Sequence, residues 1–234
     1  RLTHDYGDFV ELGLELSCPE AARLILSSSQ TFTTQIIPGE ESPDYDVELM
    51  DILLESRSVA ISLLDTSPLP PNHTLAVLLL YTHEVQSWID GGSPAMLDVN
   101  VCLELAKKYA AVGNWNLFVE FFHGLEILTP EWKKRLSTPA AQPKWHSGFV
   151  TLTKYFIYRY WLQAVSDFDL ISRAKLMIAS CLLICHLGGN FIDTAQLFSK
   201  EIENDPDNLD AILDGAYTAQ ALTDVHLLSL LLNG

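Results

Sequence analysis

Basic residues are scarce: 14 Lys and Arg stand against 30 Asp and Glu, a formal net charge of −16. So acidic a surface repels phosphate backbones and anionic headgroups, which argues against nucleic acid or a membrane surface as partner. It would steer a lysine-bearing protein inward, and solubility alone also accounts for it. Long apolar runs are missing as well. The greasiest stretches, Leu75 to Tyr81 and Leu176 to Leu187, are too short or too interrupted to cross a bilayer. No charged leader with an apolar run is present. The expectation is therefore a soluble, cytoplasmic protein.

Cysteine is sparse, and none of Cys18, Cys102, Cys181 and Cys185 forms a C-x-x-C pair. Three of the four sit inside apolar helical patterns instead of loops, which favours a reducing compartment over a disulfide framework. Cys181 and Cys185, at i and i+4, share a helical face, and two thiolates with the imidazole of His186 could hold a metal, but their apolar surroundings favour core packing. No G-x-G-x-x-G follows a strand, and no G-x-x-x-x-G-K-[ST], H-E-x-x-H or G-x-S-x-G occurs. The seven histidines are scattered without ligand spacing. These absences argue against a nucleotide loop, a zinc peptidase site or a self-contained hydrolase.

What the chain does have is helical periodicity over nearly its whole length. With 48% apolar residues in 234, it can bury one substantial core or two packed helical halves. The spacing predicts an all-α multi-helix bundle of eight to ten helices with at most a short N-terminal strand. That strand is expected at Phe9 to Leu16, where Leu12, Leu14 and Leu16 alternate with Glu11, Gly13 and Glu15. Helices are expected at Asp46 to Leu64, Thr74 to Ile89, Trp115 to Leu128, Gly148 to Val165, Leu170 to Leu187, Asn190 to Glu203 and Asn208 to Leu232. Ser93-Pro94, Thr129-Pro130 and Asp205-Pro206 each read as a cap followed by a proline in the first turn. The Pro- and Ala-containing stretch at 137–147 reads as a linker between an N-terminal helical half, 1–136, and a C-terminal bundle, 148–234.

One octet stands apart, Ser17-Cys18-Pro19-Glu20-Ala21-Ala22-Arg23-Leu24. Ser17 and Glu20 have the spacing of a capping box, and Pro19 falls where its missing N–H does no harm. Capping does not explain Cys18. A thiol in the first turn meets unpaired N–H groups and the helix dipole, which favour the thiolate. Arg23 would stabilise that thiolate or hold a carboxylate; equally, it is a surface partner for Glu20 three residues away.

Ser17 to Leu26 resembles the segment that follows the cysteine-rich region in the flagellin lysine-N-methylase family. The stretch Leu197-Phe198-Ser199-Lys200-Glu201-Ile202-Glu203, followed by Asn208-Leu209, is similar to that family's C-terminal signature, with Asn204 where a histidine is expected. Tyr155-Phe156-Ile157-Tyr158-Arg159-Tyr160 resembles its aromatic helix. The resemblance implies part of a methyltransferase that moves methyl groups from S-adenosylmethionine to lysine side chains of flagellin. It also implies an iron–sulfur or other metal site held mainly by residues preceding Arg1, to which Cys18 would add a ligand, with Glu20 and Arg23 as catalytic candidates. The chain, starting at Arg1 and running straight on, is expected to be a C-terminal portion whose chemistry requires residues upstream.

Lys200, Glu201, Glu203 and Asn208 form the second constellation. Glu201 and Glu203 lie two apart and so on different helix faces, which argues against a paired-carboxylate acid–base site. One is expected at an interface and the other in solvent. Trp115, Phe121 and Phe122 are candidates to line a lysine pocket, against a simpler role in the core. The alternative function, from another class, is a non-catalytic helical module that recognises a protein partner.

Overall fold

The chain divides after Asp44 into two units. The computed structural model describes residues 45–138 and 144–233, all in the second unit. The strand expected at Phe9 to Leu16 and the octet with Cys18, Glu20 and Arg23 lie outside the described residues.

Ten α-helices follow one another with no strand among the described residues, so an all-α multi-helix bundle is what forms. They are α1 (Val47–Thr66), α2 (Pro71–Ile89), α3 (Val99–Tyr109), α4 (Trp115–His123), α5 (Pro130–Ser137), α6 (Gly148–Tyr160), α7 (Ile171–Leu187), α8 (Phe191–Phe198), α9 (Pro206–Thr218) and α10 (Asp224–Asn233). A 3₁₀ turn at Trp161–Ser166 continues α6, a π turn at Ser199–Glu203 continues α8, and a second 3₁₀ turn at Gln220–Leu222 links α9 to α10.

The centre is α7. Every residue of it except His186 is buried, the pattern of a helix enclosed on all sides rather than one with a wet face. Helices α2, α6, α8, α9 and α10 pack around it. Helices on both sides of 137–147 therefore share its flanks. Two glycines stop α7: Gly188 and Gly189 take φ of 60° and 80°, where a side chain is strained. The Gly188 carbonyl then accepts from Arg135 at 3.2 Å and from the Thr194 hydroxyl at 2.7 Å.

Two charged residues sit within this buried helix. Lys175 Nζ donates to the Ala216 carbonyl at 2.8 Å and lies 3.3 Å from Asp224, which also meets His83 at 3.2 Å. One ammonium thus serves the last turn of α9 and the first residue of α10. Burial alone would raise the Asp224 carboxyl; His83 and Lys175 outweigh it and hold it below the ordinary range. The single helix expected from Asn208 to Leu232 is broken at this point, with Ala219 extended, because the side chain from α7 satisfies groups that helix continuation would have used.

Tertiary partners shorten other elements too. Thr129-Pro130 and Asp205-Pro206 do start helices, with Thr129 and Asp205 accepting from Trp132 and Asn208 N–H. Ser93-Pro94 does not. Residues 92–98 stay irregular, and Asp98 caps α3 by accepting from Asn100 and Val101 N–H, both at 3.0 Å. Pro71 opens α2 rather than blocking it. Helix α4 ends at Gly124, whose N–H reaches the Glu120 and Phe121 carbonyls at 3.1 Å.

Helix α10 ties the far end of the chain to the beginning of the unit. Asn72 donates to the Leu231 carbonyl at 2.7 Å, Ser229 Oγ accepts from Ala111 N–H at 2.8 Å, and Asn233 donates to the Ala111 carbonyl at 2.9 Å. Gly113 lies so close that a Cβ there would stand 2.8 Å from Leu230 Cδ2.

Candidate functional site

The segment from Leu197 to Asn208 forms a buried polar hub. It begins as α8, loosens into the π turn Ser199–Glu203, and restarts as α9 behind the Asp205 cap. A π turn widens the helix by one residue and shifts side chains off the regular 3.6-residue register. Both carboxylates point inward as a result. Glu201 is fully buried and Glu203 nearly so. The expectation that one of the two faces solvent is thus corrected; the expectation of different surroundings for each stands.

Glu201 reaches the loop after α4. Its Oε2 accepts from Leu128 N–H at 2.9 Å, and its Oε1 accepts from the Thr129 hydroxyl. Thr129 Oγ1 in turn accepts from Trp132 N–H at 3.2 Å, so the N-cap of α5 and the π turn are locked by one hydroxyl. Asn208 completes this side. Its Oδ1 accepts from Glu126 N–H at 2.8 Å, and its Nδ2 donates to the Glu126 and Glu201 carbonyls, both at 2.9 Å. Residues 125–128 run outside any helix because their backbone groups are taken here.

Glu203 faces α6 instead. Its Oε1 accepts from Tyr155 Oη at 3.0 Å and Tyr160 Oη at 2.9 Å, and Arg159 Nε lies 3.2 Å away. Arg159 Nε also donates to Tyr160 Oη at 2.9 Å. Burial first, and the Glu203 carboxylate second, push both phenols far above their ordinary value, which keeps them as donors. Arg159 caps the cluster at the edge of solvent, its guanidinium over the rings of Tyr155 and Tyr160. The Tyr155 to Tyr160 helix and the Leu197 to Asn208 segment, quoted separately from the sequence, therefore meet at one carboxylate. Nothing in the sequence spacing links them across more than forty residues.

No family model, curated protein or solved structure matches the chain.

The other candidates are placed as follows. Lys200 is exposed beside the hub and does not enter it. Cys181 and Cys185 are buried in α7, and burial pushes both thiols up to about 12, which keeps them protonated and unsuited to metal. Cys102 is buried and its thiol also raised. Among the described residues no three His, Cys, Asp or Glu side chains come together as a metal site. Phe122 is fully buried, Trp115 stacks on His186 with centroids 4.3 Å apart, and Phe121 packs edge-on against Phe122. Phe122 belongs to the core, and Trp115 and Phe121 are packed partly buried against it. Burial also lowers the His186 pKa, and its Nδ1 has no hydrogen-bond partner.

Proposed function

We propose that the chain is part of a methyltransferase that N-methylates lysine side chains of flagellin using S-adenosylmethionine, with residues 45–233 as its helical scaffold. The observation that carries the scaffold role is the hub. Glu201, Glu203 and Asn208, which belong to the segment resembling the family signature, are each occupied in holding α4, α5, α6, α8 and α9 together. Carboxylates committed to several donors are poor choices for moving protons. The chemistry is accordingly assigned outside the described residues, with Glu20 and Arg23 as the catalytic candidates this chain offers and Cys18 as a candidate metal ligand. The buried, protonated thiols of Cys102, Cys181 and Cys185 do not fit an iron–sulfur cluster. Such a cluster would rest on Cys18 with partners beyond the described residues.

The same hub favours the second reading, a non-catalytic module that recognises a protein partner, because it needs no reacting group. The two part in one experiment. The full-length protein, prepared without oxygen, is incubated with methyl-labelled S-adenosylmethionine and flagellin. Label on flagellin lysines, reduced by Cys18→Ser or Arg23→Ala at unchanged melting temperature, supports the first reading. Flagellin binding without label transfer supports the second, and neither binding nor transfer refutes both.

A further inference from the structure

Helix α3 is packed on one side and open on the other. Cys102 and Ala106 are buried, and Val99 and Leu103 lie partly buried against the core, where α3 meets α2 and α10. Val101, Leu105 and Tyr109 stay outside it, at 54%, 38% and 51% exposure. Each stands four residues from the next, so the three form one continuous ridge about 12 Å long on the helix surface. The segments before and after α3 add Met96 and Val112, 83% and 91% exposed. A single exposed apolar residue is ordinary; a whole ridge of them is the mark of an interaction surface.

The charges beside the ridge say what covers it. The neighbouring ridge carries Asn100, Glu104 and Lys108, all exposed. Glu104 meets Lys107 at 2.8 Å in a solvent-exposed pair, which is worth little and is free to re-form elsewhere. Lys108 has no ion-pair partner among the described residues. With Asp98 as N-cap, α3 thus has two acids towards its start and two bases towards its end. A net charge of −16 opposes contact between two copies of the chain in general; this face is balanced and does not. It is also ordered. A uniformly charged partner matches one end and is repelled at the other, and a parallel copy sets like against like. A reversed copy sets every charge opposite its complement.

We propose that α3 is a dimerisation face, on which a second copy of this chain packs antiparallel across a twofold axis beside Leu105. Leu105 then meets its own counterpart. Val101, four residues to one side, meets Tyr109 of the other copy, four residues to the other side, and Glu104 meets Lys108 of the other copy twice over. The contact is small, so the dimer is a weak one that forms and parts with concentration. This inference stands on α3 and does not depend on methyl transfer.

The test is sedimentation equilibrium of the intact chain over a concentration series reaching about 1 mM. The mass is expected to rise from that of one chain, 26.1 kDa, towards twice that value, with a Kd on the order of 100 µM. Glu104→Lys and Lys108→Glu, both at exposed positions, should each raise the Kd at least about fivefold at unchanged circular dichroism, because each sets like charges against one another at both ends of the contact. Mixed in equal amounts, the two variants should associate as tightly as the wild type. One chain then presents only lysine at positions 104 and 108 and the other only glutamate, so both pairs are restored between unlike chains. Leu105→Asp, which sets two carboxylates beside the axis, should leave the chain monomeric. A chain that stays monomeric throughout, a dimer indifferent to both charge variants, or a mixture that associates no better than its components would overturn the inference. Growth of the mass beyond two copies would overturn the closed twofold arrangement.

Discussion

Replacing Asn208 by alanine should destabilise the helical unit by about 3 kcal/mol, and the figure follows from three hydrogen bonds at one side chain. The wild-type amide accepts from Glu126 N–H and donates to the carbonyls of Glu126 and Glu201. Alanine removes all three partners at once. A buried polar group left unmatched costs about 1–3 kcal/mol. The bond to Glu201 is buried and takes the full cost, whereas the two at Glu126 are half-buried, where water recovers part of it. The backbone cap is spared, since Asp205 Oδ1 accepts from the Asn208 N–H in either variant. Asn208→Asp sharpens the test. It keeps the acceptor but turns an oxygen toward two carbonyls, so at neutral pH it should cost at least as much as alanine. Urea unfolding followed by circular dichroism gives the difference directly, and a fall in melting temperature of roughly 6–12 °C is expected for a unit of this size. A loss below about 1 kcal/mol for both variants, with an unchanged denaturant slope, would mean that the hub is not what joins α4, α5 and α9.

Two further predictions concern buried groups. Because burial lowers the His186 pKa below 6.5, its folded state resists protonation, so the stability tied to the neutral ring is complete above pH 6.5 and falls as pH drops below it. His186→Phe, which keeps the stack on Trp115, should flatten that loss between pH 6.5 and 5, measured as the urea midpoint at each pH; an unchanged slope would refute it. Cys102, Cys181 and Cys185 should be inert to Ellman's reagent in the native protein at pH 8 and react fully in denaturant, since burial raises all three thiols. Rapid native labelling at any of them, located by mass spectrometry, would contradict the packing of α2, α3 and α7.

Much of the fold is legible in the sequence where local rules govern. The 3.6-residue spacing marks α1, α2, α6 and α7, and the Thr129-Pro130 and Asp205-Pro206 caps mark where α5 and α9 begin, although the helix expected around α9 runs from Asn208 to Leu232. Local rules fail where a distant side chain takes over backbone groups. Lys175 ends α9 and Glu201 with Asn208 holds 125–128 out of a helix, and no window of eleven residues contains both parties. At Ser93-Pro94 the cap was permitted but not required, and Asp98 supplied a second one. The hub is half legible. Its residues stand out as a segment, but period counting puts Glu201 and Glu203 on different faces with one of them in solvent, and only the π turn together with the two tyrosines of α6 explains why both are buried.

The grip of α10 on α2 and on 110–113 has a consequence for synthesis. Chains emerge from the ribosome N-terminal end first, at about 5–20 residues per second. Helix α2 appears early, yet the surface that Asn72 and the Ala111–Gly113 bend present to α10 stays uncovered until Asn233 has cleared the exit tunnel. For the roughly 6–24 s in which the 120 or so residues after Ala111 are made, α2 and α3 carry apolar surface that only a late-arriving helix can cover. A nascent chain halted within α9 should accordingly recruit holding chaperones, and one released after α10 should shed them.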